Sequence, residues 1–179
     1  MERLKSRRSV HISLRVPSEL REELQREGSR RKINFNSLGN RILEKYLSFD
    51  RLVEHEHSVV IERKVFLGIL EEVPVESLAE LGKKLGPQVV KESFEFFGIP
   101  LTLDNLISNY FTPIGAFSDN YECNATGSTP NLKLILAHEY GDKWSIFLRE
   151  YASGIIESIL GTKPKVLAGV DTVTIEFRG

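Results

Sequence analysis

Residues 11–47 read HISLRVPSELREELQREGSRRKINFNSLGNRILEKYL, and this stretch decides the architecture of the first part of the chain. From Val10 to Val16, the apolar Ile12, Leu14 and Val16 alternate with His11, Ser13 and Arg15. That is the period of a half-buried strand. Pro17 stops it, because proline has no N–H to give a sheet ladder. Ser18 stands as a helix N-cap, followed by Glu19, Glu22 and Glu23, where carboxylates suit the helix dipole. Leu20 and Leu24 are the apolar positions of this helix, and Gly28 is its stop signal. Arg30, Arg31 and Lys32 form a basic connector. Asn34 or Asn36 caps a second helix, whose apolar stripe is Leu38, Ile42, Leu43, Tyr46 and Leu47.

One strand and two short helices cannot bury their own apolar faces. A dimer solves this: two strands pair antiparallel, with Ile12, Leu14 and Val16 inward and His11, Ser13 and Arg15 outward. A two-stranded ribbon fits the DNA major groove, where side chains read base edges. The charge distribution points the same way. Residues 1–47 carry 12 Lys+Arg against 6 Asp+Glu, a balance of +6, while residues 48–179 carry 12 against 19, a balance of −7. A basic head on an acidic body is the pattern of a polyanion-binding module joined to a non-binding domain.

The strand running into Arg15-Val16-Pro17, the first helix and the Asn36-Ser37 step that opens the second resemble the ribbon-helix-helix regulators of the Arc/MetJ/CopG type. The resemblance covers roughly residues 9–48. It implies an intertwined β-α-α dimer on double-stranded DNA, with His11, Ser13 and Arg15 contacting bases. It also implies a phosphate clamp at Asn36 and Ser37, made by backbone N–H groups at the start of the second helix. Arg7, Arg8, Arg30 and Arg31 are the further expected phosphate contacts. The strand face of His, Ser and Arg is less polar and less basic than in many members. Ser13 suits several bases, so Arg15 dominates the expected readout.

The remaining residues predict an α+β domain. Leu52 and Val53 extend the second helix pattern, and residues 50–57 read as a linker or helical extension. Val59–Ile61 reads as a strand. Val65, Phe66, Ile69, Leu70 and Val73 recur at helical spacing up to Pro74. Residues 76–97 are helical, with a break expected at Gly86-Pro87. A short helix starts at Thr102 or Asp104 and is stopped by Pro113 and Gly115. Strands are expected over 117–125 and 132–138, joined by a loop at 127–131. Asp142 is expected to cap a helix with Trp144, Phe147, Leu148, Tyr151, Ile155 and Ile159 on its stripe, ended by Gly161 and Pro164. A last strand runs over 172–177. The order strand, helices, strand, strand, helix, strand is that of a ferredoxin-like sandwich with extra helices. The domains expected are 1–49 for the ribbon-helix-helix module, 50–57 for the linker or extension, and 58–179 for an effector or oligomerisation domain.

No P-loop, GxGxxG, HExxH, GxSxG or CxxC occurs, and no enzymatic activity is expected. The single cysteine, Cys123, excludes an intrachain disulfide and suits the cytoplasm. No apolar run approaches the length of a membrane span, and no signal core follows the basic start. No cofactor is expected, although four residues are candidate metal ligands. His55 and His57 flank Glu56 at the junction. Cys123 and His138 fall on strands expected to pair, with Cys123 opposite Leu136 and Tyr121 opposite His138, as diagonal neighbours. Nickel-responsive regulators share such an architecture, but their ligand spacing is absent. Residues 138–144, HEYGDKW, read either as a pocket lip or as turn, cap and helix anchor.

These readings converge on a dimeric transcriptional regulator acting on a palindromic operator, with higher oligomers possible through the second domain and no membrane partner. The alternatives are an antitoxin with a toxin-wrapping tail and a metal-responsive regulator.

Overall fold

A computed structural model describes residues 10–128 and 131–177. Arg7 and Arg8 lie outside the described residues. The chain divides into two compact units between Glu44 and Lys45, here called head and body.

In the head, Val10–Val16 forms no strand, since a strand exists only where a neighbour completes its ladder. The helix α1 spans Ser18–Arg30. Its N-cap is Pro17, with no side-chain cap, so Ser18 lies inside the first turn instead of capping it. Gly28 does not end the helix either. The Ile33 N–H donates to the Gly28 carbonyl (2.9 Å) and the Lys32 N–H to that of Ser29 (3.1 Å). These two bonds make a Schellman motif, whose left-handed residue is Lys32 at φ 57°. Gly28 is buried three positions before the cap, where a Cβ would meet the Ile33 carbonyl oxygen at 3.0 Å. Helix α2 spans Phe35–Lys45. Asn34 is its cap: its Oδ1 accepts the Ser37 N–H at 2.8 Å.

The helical path continues from α2 through a π-helical turn, Tyr46–Asp50, into α3, Arg51–His55. The expected extension is therefore helical as far as His55. Another Schellman motif ends it, with the Ser58 N–H on the Val53 carbonyl (3.1 Å) and His57 left-handed at φ 49°. The strand expected at Val59–Ile61 is absent. Val59 and Val60 are 87% and 99% exposed and pair with no strand.

Helix α4 spans Arg63–Glu72 and α5 spans Val75–Phe96. The break expected at Gly86-Pro87 does not occur. Pro87 leaves the Lys83 carbonyl without its usual helical donor, and Gly154 packs against that carbonyl. A Cβ on Gly154 would lie 2.8 Å from the Lys83 oxygen. On Gly82 and Gly86 it would lie 2.6 Å from the carbonyl oxygens of Phe147 and Tyr151. Bare glycine faces thus let α5 and its partner helix, α8, approach backbone to backbone, and that packing holds the helix through the proline.

Thr102 caps the next helix, its Oγ1 accepting the Asn105 N–H at 3.3 Å. Pro113 and Gly115 do not stop it. Helical structure runs through α6 (Leu103–Leu106), a π-helical turn (Ile107–Phe111) and α7 (Thr112–Phe117). Pro113 is the second residue of α7, directly after the π-helical turn, and the helical path runs through it.

Strand β1 spans Glu122–Ser128 and β2 spans Asn131–Ala137. Phe117 ends a helix instead of opening a strand. Gly127 pairs with Leu132 and Ser128 with Asn131 inside the ladder, so the loop is shorter than expected. Cys123 faces Leu136 in the register read from the sequence. Helix α8 spans Gly141–Leu160 and ends at Gly161, left-handed at φ 66°. Asp142 does not cap it. The Gly141 N–H at its start donates to Asp171 Oδ1 at 2.9 Å. The hairpin of β3 (Lys165–Ala168) and β4 (Thr172–Glu176) completes the sheet.

The fold is α+β, with a four-stranded antiparallel sheet of order β1-β2-β4-β3. It departs from the expected ferredoxin-like order: no strand precedes the helices among the described residues, so the first βαβ crossover is missing. The second is present, because β2 and β3 are both antiparallel to β4 between them, hence parallel to each other, and α8 joins them. Helix α8 packs on β3 and β4, α7 packs on β1, and α5 packs on α8. Their shared core includes Val90, Phe94, Leu106, Phe111, Leu134, Leu136, Ile155, Ile156, Val173 and Ile175. Trp144, Phe147 and Tyr151 border it from α8. Lys143 reaches the end of α4, donating to the carbonyls of Leu70 (3.2 Å) and Val73 (2.9 Å).

Candidate functional site

In the head, His11, Ser13 and Arg15 are all exposed. So are their intended inward neighbours: Ile12 is 64% and Leu14 is 69% exposed. The alternation written in the sequence is not realised as two faces within one chain. Leu20, Phe35, Ile42 and Leu43 are exposed as well, and among the described residues of the head Leu38 is the one large apolar side chain that is buried.

Of the other expected DNA contacts, Arg30, Arg31 and the Ser37 N–H are already engaged within the head. Arg30 donates to Glu27 at 2.9 Å and Arg31 pairs with the same carboxylate. The two guanidiniums hold the Glu27 carboxyl down at about 2, and Glu27 raises Arg30 in turn. The trio therefore carries one net positive charge, where the sequence counts two arginines. Asn36 and Ser37 lie in the first turn of α2, as the resemblance implies, but the Ser37 N–H is taken by Asn34. A phosphate seated there would have to replace that side chain. Nothing local in the sequence marks Glu27 as the arginines' partner beyond its spacing of three and four residues, which suits ion pairs on a helix.

The four metal candidates are not brought together. Among the described residues no group of three or more His, Cys, Asp or Glu could hold a metal ion. His55 stacks on Phe96 at 3.7 Å between ring centroids. His57 serves as the left-handed cap residue of α3. Between them, Glu56 accepts a hydrogen bond from the Ser93 hydroxyl, and burial raises its pKa. Cys123 is part-buried, and desolvation raises its thiol despite a hydrogen bond with Thr112. His138 has both ring nitrogens occupied. Nδ1 accepts the Tyr140 N–H at 3.2 Å, which places the proton on Nε2, 2.9 Å from Ser145 Oγ. Ser145 Oγ in turn donates to the Val170 carbonyl at 3.0 Å. Burial lowers the His138 pKa, against the pull of Asp171 at 3.7 Å. A neutral imidazole locked between two partners is structural.

The 138–144 segment supplies the turn and the helix anchor but not the expected Asp142 cap, and it also lines a cleft. Trp144 anchors the helix, its Nε1 donating to the Asn120 carbonyl at 3.0 Å and its ring stacking on Phe147 at 4.8 Å. His138, Glu139 and Tyr140 also line a cleft of about 480 Å³ with Arg63, Asp119, Tyr121 and Glu122. Arg63 lies across its mouth. It donates to the Glu139 side chain (2.9 Å) and carbonyl (2.8 Å), and stands 4.9 Å from the centre of the Tyr140 ring. Sequence reasoning missed Arg63, because its partners are some 76 positions away. The described body also has a smaller cavity of about 150 Å³ beside α3, which includes Arg51 and Asn109.

No known protein family matches the chain, and neither a curated protein nor a solved structure shows significant similarity to it. No helix among the described residues is long and apolar enough to cross a membrane.

Proposed function

We propose that the chain is a sequence-specific DNA-binding transcriptional regulator. It would act as a dimer on a palindromic operator, with the body serving as a sensing or oligomerisation domain. The observation that carries this reading is the head's unburied apolar surface: Ile12, Leu14, Val16, Leu20 and Ile42 are exposed beside a segment with no strand partner. A second copy of the same segment would supply the missing ladder and cover those side chains. The ribbon so formed would direct His11, Ser13 and Arg15 outward on a head rich in lysine and arginine. An antitoxin reading is weaker, because a toxin-wrapping tail is disordered when free, whereas the body has a closed core.

Two variants test the proposal. Leu14→Asp places a charge at the centre of the proposed ribbon, so it should abolish both dimer and DNA binding in sedimentation and gel-shift measurements. A single exposed chain would tolerate it within about 0.5 kcal/mol. Arg15→Ala should remove roughly 1–3 kcal/mol of operator discrimination while leaving random DNA nearly unaffected. Equal losses on both DNAs would move Arg15 to the phosphates.

A further inference from the structure

The smaller cavity of the body, about 150 Å³, has an unusual construction. Both π-helical turns open onto it: Tyr46–Asp50 contributes Leu47 and Ser48, and Ile107–Phe111 contributes Ser108 and Asn109. A π turn interrupts regular helical bonding and recurs at functional sites. Two of them, about 60 residues apart in sequence, meeting at one cavity is hard to ascribe to packing alone.

Its chemistry is divided. Leu52, Phe94, Phe97 and Ile99 make an apolar wall. Among the described residues that line it, Arg51 is the one charged side chain. Arg51 lies over the Phe97 ring at 4.8 Å. Stacking of that kind fixes the plane of a guanidinium while leaving its N–H edge available to a carboxylate fork. The Asn109 amide N–H₂ is committed to Asn105 (3.2 Å) and Ser108 (3.1 Å), and the Ser93 hydroxyl to Glu56 and Val89. Ser48 and Arg51 therefore supply the donors for a ligand. Glu56, which accepts from Ser93, does not line the cavity, and burial raises its pKa. A cavity of this size holds a ring such as benzene.

We propose that this cavity binds a small carboxylate with a compact apolar body. The carboxylate rests on Arg51 and Ser48, and the apolar part lies against Leu52, Phe94 and Phe97. The site belongs to the body alone and stands whether or not the chain binds DNA.

Calorimetric titration of the full chain with benzoate, benzamide and benzylamine tests it without any DNA present. Benzoate should bind saturably at one site per chain, at least about tenfold tighter than the other two, a factor worth about 1.4 kcal/mol. Arg51→Gln should erase the advantage of benzoate over benzamide, and Arg51→Lys should restore part of it. Arg63→Gln, which removes a like charge at the other, larger cleft, should leave the preference for the anion in place. No saturable benzoate binding at millimolar concentration would overturn the proposal. So would equal or tighter binding of benzamide or benzylamine, or an unchanged preference in a folded Arg51→Gln protein.

Discussion

The head and the body solve the same problem with different success. The body joins 15 buried side chains into one cluster drawn from α3, α5, α8, the 103–117 helical stretch and the sheet. The head has its own apolar positions, but among its described residues it buries Leu38 and leaves Ile12, Leu14, Ile42 and Leu43 in solvent. A sheet with helices on one face closes a core within a single chain. Two helices and an unpaired segment do not, whatever their pattern. The difference teaches that amphipathic sequence specifies which face must be covered and not what covers it.

The contrast can be broken most severely in the body. Phe94→Ala should cost roughly 3–5 kcal/mol, read as the fall in its urea-unfolding free energy, because the ring is buried in the core cluster and its removal leaves a void. A loss below about 0.5 kcal/mol would mean that Phe94 behaves as a surface side chain and that the core is not closed. Gly86→Ala should come next. Helix propensity would gain about 1 kcal/mol, but the added methyl meets the Tyr151 carbonyl, so a net loss of about 1–3 kcal/mol is expected. Net stabilisation would show that α5 and α8 do not touch at this point.

In the head the informative change is in the opposite direction. Lys32 sits in the left-handed region that favours glycine, so Lys32→Gly should stabilise α1 and its turn by about 1 kcal/mol in thermal unfolding. Destabilisation would mean that the Schellman turn is not the native end of the helix.

The smallest expected effect is a pH dependence of the body. His138 has a folded pKa below its unfolded value. Between the two values the unfolded chain binds more protons, so stability rises with pH. The contribution is therefore complete above the ordinary histidine value of 6.5 and is lost as pH falls through the lowered one. Melting curves between neutral and mildly acid pH should show this slope, and His138→Gln should flatten it. The same slope in both proteins would assign the titration elsewhere.

Much of the secondary structure was legible because periodicity is local. Helix α8 follows its stripe from Trp144 to Ile159, and the β1–β2 register followed from alternation that placed Cys123 opposite Leu136. What was misread depended on distant partners. Pro87 and Pro113 look like breakers, yet helix packing against Gly154 absorbs the first and the helical path runs through the second. Ser18 and Asp142 look like caps, yet α1 is entered from Pro17 and the start of α8 is met by Asp171. Strand β3 escaped notice because a four-residue edge strand offers too few positions to show a period. In the head, the sequence showed that Arg30 and Arg31 are basic but not that Glu27 holds them both. At the junction it presented His55, Glu56 and His57 as a cluster, and the fold gave each a different neighbour.

By itself the sequence determined the α+β class, the basic head, the two head helices and the apolar faces that need cover, because these follow from composition and from periods of two and 3.6. Only the tertiary structure decided which chain breaks are tolerated, that Arg63 meets Glu139, and where two π turns meet around a cavity. Those outcomes depend on groups tens of residues apart arriving within a few ångströms, and no local pattern encodes that approach.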